Sequence, residues 1–227
     1  MDDLPGPVIK RYGAIDVVRD DLIAGGTKVR ALTLEGANEF VYASPAAGYA
    51  QVALAIAARR YGKRATVFCA QRKVLHARTA EAQSAGAKIV QVPCGYMTVV
   101  RSRAKAYCAI SGARLMPFGF DTPEFIAALT ATAVSLKISP TEVWSVAGSG
   151  VLTRALQAAW PGAVFRAIRI GSAPHAGRAE VLCAPEKFEQ TAKITPPFPS
   201  CGNYDAKAWR FIQEQAQPGA LFWNVAA

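Results

Sequence analysis

Short apolar runs alternate with longer stretches in which apolar and polar positions are mixed, and that alternation governs the reading of the whole chain. Runs at 14–19, 39–42, 65–69, 88–92, 142–146, 163–170 and 221–225 have the length and side-chain character of strands, several apolar enough for burial on both faces. Between them, 49–61, 75–85, 96–110, 122–136, 151–159 and 206–215 are long enough for helices, and 28–34 reads as a helix start or short element. The 49–61 stretch is alanine-rich with no internal Gly or Pro, and Gly62, Gly86 and Gly112 stand where helices should stop. Pro123 suits the first turn of its helix. The 171–203 region is rich in Pro, Ser and Cys and reads as an ordered connection or a linker.

Strands alternating with helices predict an α/β fold of parallel twisted sheets with flanking helices. Two lobes are expected: 1–42 with 114–227 as the larger and 43–113 as the smaller. The 227 residues, 52% of them hydrophobic, suffice for a sizeable core. No run approaches the roughly 18 apolar residues of a membrane span, and the start lacks the order of a secretion signal, so a soluble, cytoplasmic protein without membrane partner is expected. Five scattered cysteines (Cys69, Cys94, Cys108, Cys183, Cys201) without a C-x-x-C pair, and only His76 and His175, favour inert thiols over a metal site.

The net charge of +10 is unevenly spread. Arg59, Arg60, Lys63, Arg64, Arg72, Lys73, Arg78, Lys88, Arg101, Arg103 and Lys105 face the single acid Glu81 over the same span. Such a lobe attracts polyanions, nucleic acid foremost, unless it is only a solvated basic face.

Three short segments carry candidate chemistry. Gly25-Gly26-Thr27-Lys28 delivers a lysine from a glycine turn into an apolar run that Val29 and Leu32 can anchor. Glycines let the backbone pass close to a planar group, and a desolvated lysine is a Schiff-base nucleophile; the alternative is a helix-entry lysine in water. Gly148-Ser149-Gly150, after a strand and before a helix, gathers N–H groups into a phosphate seat, or is a turn built for packing, with Ser149 or Thr153 as added donors. Pro45-Ala46-Ala47-Gly48 opens the alanine-rich helix in the same way.

Taken in order, these pieces resemble the pyridoxal-phosphate enzymes of fold type II, the tryptophan-synthase-β-like group. The middle of the chain follows the same wording, from Tyr49-Ala50-Gln51 through Arg60-Tyr61-Gly62-Lys63-Arg64-Ala65-Thr66-Val67 to Arg78 and Gly86-Ala87-Lys88-Ile89-Val90. The resemblance implies that pyridoxal 5'-phosphate is the cofactor and Lys28 its Schiff-base lysine. Gly148, Ser149 and Gly150 would cradle the phosphate, with Ala47 and Gly48 facing the ring or substrate. Many members carry asparagine where this chain has Gly48, and the chain is shorter than the usual domain by about a third. A late hydroxyl near the ring nitrogen would come from Ser200, with Cys201 as the alternative, unless Ser200 is a turn residue.

The compact form resembles bacteriophage enzymes of thymidine hypermodification, which trim an amino acid attached to the base. That implies a lyase, decarboxylation favoured, acting on DNA that carries a modified thymidine. Arg59, Arg60, Arg72, Lys73, Arg101 and Arg103 are the expected phosphate contacts, and Tyr49 or Trp209 candidates for base stacking. The alternatives are a lyase or dehydratase of a free amino acid, and a nucleic-acid-binding α/β protein without cofactor. A homodimer is the default expectation for assembly.

Overall fold

The computed structural model describes residues 4–93, 95–171 and 173–227. In chain order its elements are β1 (Ile9–Tyr12), β2 (Ile15–Arg19), α1 (Gly26–Ala31), β3 (Glu39–Ala43), α2 (Ala50–Arg60), β4 (Arg64–Ala70), α3 (Ala77–Ser84) and β5 (Lys88–Val92). They continue with α4 (Met97–Ser111), β6 (Arg114–Leu115), α5 (Pro123–Ser135), β7 (Glu142–Ala147), α6 (Val151–Ala159), β8 (Val164–Arg169), β9 (Glu180–Cys183), α7 (Trp209–Gln215) and β10 (Leu221–Asn224). Two compact units result, Leu32–Phe120 and Leu4–Ala31 with Asp121–Ala227. Their boundaries fall near 31 and 120, where the sequence reading drew them near 42 and 113.

The larger unit holds a six-stranded sheet in the order β1-β2-β10-β7-β8-β9. Only the β1–β2 pair is antiparallel. All four residues of β10 are buried, as a central strand covered on both faces requires. Alternation sends Phe222 into a core with Trp144, Ile168, Trp209 and Ile212, while Trp223 pairs with Trp160 at 6.4 Å between ring centroids. Each such side chain contributes roughly 1.5–3 kcal/mol by leaving water. On α5, Thr122 caps the first turn by accepting from the Phe125 N–H at 3.2 Å, and Pro123 occupies the first helical position.

The smaller unit holds a wholly parallel sheet in the order β5-β4-β3-β6. One face packs Val41, Phe68 and Val92 against Val100 and Ala104 of α4. Buried Glu39 is held by Thr66 Oγ1 at 2.7 Å, the Tyr107 hydroxyl at 2.8 Å and Arg64 at 3.2 Å.

Three strands escaped the sequence reading. β1 is an edge strand of sequence Ile-Lys-Arg-Tyr, half-exposed, fixed by its hairpin with β2 rather than by its own apolar pattern. β6 is two residues long. β9 lies on the outer edge of the larger sheet inside the stretch read as a connection, where exposure leaves little hydrophobic signal. Among the described residues no helix is long and apolar enough to cross a membrane. Cys94 lies outside the described residues.

Candidate active site

The carboxyl edge of the larger sheet is where the sequence candidates of that unit meet. β2, β10 and β7 are parallel neighbours, so the segments that leave their carboxyl ends, 20–28, 225–226 and 148–150, emerge side by side. At about 4.8 Å per strand, the exits of β2 and β7 are roughly 10 Å apart.

Lys28 is fixed through the residues just before it. Fully buried Asp20 accepts from Thr27 Oγ1 at 2.8 Å, from Arg30 at 2.8 Å and from the Trp223 indole N–H at 3.1 Å. This ties the first turn of α1 to β10. Next to it, the almost fully buried Arg19–Asp21 ion pair closes at 2.7 Å, and Asp21 also accepts from Asn224 Nδ2. Gly26 has φ +65°, and a Cβ there would lie 2.1 Å from the Val225 carbonyl oxygen, whose acceptor role toward Thr27 N–H sets the approach. The glycine's missing side chain therefore makes room for the end of β10, where the sequence reading gave that room to a planar group.

The Lys28 ammonium lies 5.8 Å from the centroid of the Phe125 ring. Although part of the residue remains accessible, surrounding protein strips enough water from the amine to lower its pKa from 10.5 to about 8, and Asp205 opposes that shift. Asp205 is fully buried, accepts from the Ala226 N–H at 3.2 Å through Oδ2, and leaves Oδ1 without a hydrogen-bond partner. Burial raises its own pKa well above the ordinary carboxylate range, with backbone N–H groups of Ala226 and Val225 and the charge of Lys28 acting against it.

The glycine corner is shaped by the adjacent residue. The Tyr204 hydroxyl accepts from Gly148 N–H at 2.9 Å and donates to the Val146 carbonyl at 3.2 Å. Gly150 has φ +85°, and a Cβ would stand 2.2 Å from the His175 carbonyl oxygen, so only glycine fits. α6 begins at once, with Ser149 Oγ accepting from Val151 N–H at 3.4 Å. Thr153, proposed as a donor, is buried instead against Ser145 at 2.8 Å. Tyr204 thus holds the corner, and Asp205, next in sequence, acts electrostatically on the Lys28 amine. Neither was singled out in the sequence, because one tyrosine and one aspartate in a Pro-rich stretch carry no periodic or spacing signal.

Ser200 stands at this edge too, its hydroxyl donating to Asn224 Oδ1 at 2.7 Å, while Asn224 Nδ2 donates to the Pro199 carbonyl at 2.9 Å. Cys201 is buried, its Sγ 3.1 Å from Asn203 Oδ1.

Ala47 and Gly48 belong to the smaller unit. There β3 is the first strand laid down, β4 and β5 extend the sheet to one side of it and β6 to the other, so the turn after β3 is at the topological switch point. Fully buried Gln51 organises that turn by donating from Nε2 to the carbonyls of Ala46 at 2.8 Å and Gly48 at 3.0 Å. The six proposed phosphate contacts do not form one stripe. Arg59 and Arg60 end α2, at the amino edge of the sheet, whereas Arg72 and Lys73 follow β4 at the carboxyl edge. Arg101 and Arg103 lie on α4 about 200° apart around the helix. Tyr49 stacks under Arg78 at 4.7 Å, and Trp209 is a core residue.

No family model matches the chain, and no curated protein matches it in sequence. Solved structures share its fold. An ACC deaminase homologue matches with a TM-score of 0.86 at 13% identity, over 99% of this chain and 90% of that one. O-acetylserine sulfhydrylase isoform 3 from Entamoeba histolytica matches with a TM-score of 0.71 at 14% identity, over 99% and 87%. A threonine deaminase from T.th. gives 0.68 at 17% identity, over 92% and 85%. The parallel sheets with flanking helices are those of the fold type II group, as the sequence reading expected.

Proposed function

We propose that this chain is a pyridoxal-phosphate-dependent lyase acting at the α-carbon of an amino-acid group, and that this group is carried by a thymidine of DNA and decarboxylated. The observation that carries the first half is Lys28, an amine with its pKa lowered to about 8 on the strand edge that also presents the 148–150 corner. The residues fit the cofactor's two demands. Lys28 would supply an amine that is uncharged in useful amount near neutral pH, and the 148–150 corner before α6 would offer the Ser149 and Gly150 N–H groups and the helix dipole to a phosphate, the Gly148 N–H being taken by Tyr204. Ser200, with Cys201 as the alternative, is the candidate partner of the ring nitrogen.

Pyridoxal phosphate, when bound, accepts the electron pair released as a bond at the α-carbon of an amino acid breaks. The protein's part is orientation and proton movement. Lys28 Nζ would hand a proton to the α-carbon, and Asp205, where ionised, would favour charge on that amine. Ala47 and Gly48, in the turn that Gln51 stiffens, are the candidates for the substrate carboxylate. The DNA-borne substrate is supported by the net charge of +10 and its concentration between Arg59 and Lys105.

Borohydride reduction of the pyridoxal-phosphate-loaded protein, followed by peptide mass mapping, tests the assignment. A phosphopyridoxyl group on the Lys28 peptide is expected, and one on any other lysine, or none, overturns it. Nucleoside analysis of amino-acid-modified DNA after incubation tests the substrate, the expected product lacking the α-carboxyl group. A second reading, a lyase of a free amino acid, is favoured by several structural neighbours, among them threonine deaminase and diaminopropionate ammonia lyase. Turnover of free threonine or serine with unmodified nucleosides would establish it instead.

A further inference from the structure

The cations of the smaller unit divide between the two edges of its sheet, and one edge has the makings of a nucleic-acid contact. β4 is seven residues long, so the amino edge with Arg59 and Arg60 is roughly 20 Å from the carboxyl edge with Arg72 and Lys73. Arg101, in the second turn of α4, belongs to the carboxyl edge because α4 leaves β5 there, and its guanidinium lies 5.6 Å from the centroid of the Phe118 ring.

The carboxyl edge is one continuous surface. Gln71 N–H donates to the Val92 carbonyl at 2.9 Å and Arg72 N–H to Gln91 Oε1 at 3.0 Å. Gly95 packs so closely on Ala70 that a Cβ would stand 2.2 Å from the alanine's. These contacts hold the segment after β4 against the one after β5. On the resulting surface Arg72 and Lys73 are exposed and Tyr96 is 79% exposed, while Arg101, also exposed, stands farther along the same edge beside Phe118, which follows β6. The single acid of the span, Glu81, is engaged by Arg78 at 2.8 Å. An exposed aromatic ring on an edge that bears exposed cations, with the one acid of the span already paired, is the combination that tracks a phosphate backbone and stacks an unpaired base. A duplex hides its base faces from such a ring.

We propose that the carboxyl edge of the four-stranded sheet holds a single strand of DNA, with phosphates on Arg72, Lys73 and Arg101 and one base stacked on Tyr96. This rests on the reading of a DNA-borne substrate. It places the strand on the edge that also bears the 45–48 turn, one strand spacing from the Arg72 segment. Arg59 and Arg60 take no part.

Fluorescence anisotropy with a labelled oligodeoxythymidylate and the full chain, pyridoxal phosphate present, tests this. With three phosphate contacts, Kd is expected to weaken about 20-fold between 50 and 200 mM salt. The double substitution Arg72→Gln, Lys73→Gln should cut that to about threefold, as expected for one remaining contact. Tyr96→Ala should weaken binding about tenfold at either salt concentration, and Arg59→Gln with Arg60→Gln should leave it unchanged. Circular dichroism checks that each variant is folded. The proposal is overturned if the Arg59, Arg60 pair matters as much as the Arg72, Lys73 pair, if duplex binds more tightly than strand, or if salt has no effect. Unmodified DNA and no turnover are involved, so strand binding without a Lys28 adduct sinks only the lyase reading, and an adduct without strand binding sinks only this one.

Discussion

Replacing Lys28 by methionine should make the protein without added cofactor more stable at neutral pH. In the fold the amine titrates near 8, whereas an unfolded lysine keeps its ordinary 10.5. The folded value is the lower one, so between about pH 8 and 10.5 the unfolded chain binds more protons and stability rises with pH across that window. Below pH 8 the penalty is complete, because Lys28 must then carry its charge in a desolvated place. At ~1.4 kcal/mol per pKa unit, the displacement caps the cost at ~3 kcal/mol. Partial access to solvent reduces the expected figure to about 1–2 kcal/mol. Methionine keeps the length of the side chain and its contact with Phe125 while removing the charge. Urea unfolding followed by circular dichroism at pH 7 and pH 10.5, on both proteins, measures the effect as a difference between variants, which cancels other titrations. The methionine variant should lead at pH 7 and lose most of that lead by pH 10.5. A variant no more stable at pH 7, with a gap that does not change with pH, would refute the argument that this amine is held short of water.

Where it is ionised, Asp205 props up the Lys28 amine, so Asp205→Asn should move the pH profile of modification by an amine reagent to lower pH; an unmoved profile denies the coupling. Gly150→Ala sets a methyl against the His175 carbonyl at a positive φ and should cost about 2 kcal/mol or more in thermal unfolding, while Gly162→Ala, in open space, should cost much less. Burial works to raise the Glu39 carboxyl, yet hydrogen bonds from Thr66, Tyr107 and Arg64 outweigh it and the net pKa lies below 4.5. That stabilisation is present above 4.5 and lost as pH falls through the folded value, so Glu39→Gln should be less stable than the parent by about 1–2 kcal/mol at pH 7 and nearly equal to it near the acid limit of folding.

The buried strands and the helices between them were legible because burial on both faces leaves continuous apolar runs, and α6 begins and ends where its residue pattern says. Edge strands were not, since β1 and β9 are held by hydrogen bonds to a neighbour and show half-polar faces to solvent. At the candidate site, Lys28 and the 148–150 corner, which share one sheet edge, were marked in the sequence by glycine placement. Tyr204 and Asp205 did not, because their roles come from where the chain returns in space, and a lone acid beside a lysine exists only once β10 lies between β2 and β7. The cations were visible as a count, but their division between the two sheet edges follows from the direction of β4, which a count does not contain.

The position of β10 has a consequence for biosynthesis. Lys28 leaves the ribosome about two hundred residues ahead of the strand that orients its helix, through Trp223 and the Val225 carbonyl. Until then β2 and β7 have no shared neighbour and the larger sheet exists only as separate halves. While the intervening residues are made the Lys28 amine is therefore an ordinary hydrated lysine, and assembly of this candidate centre waits for a closure across about two hundred residues, a slow non-local step.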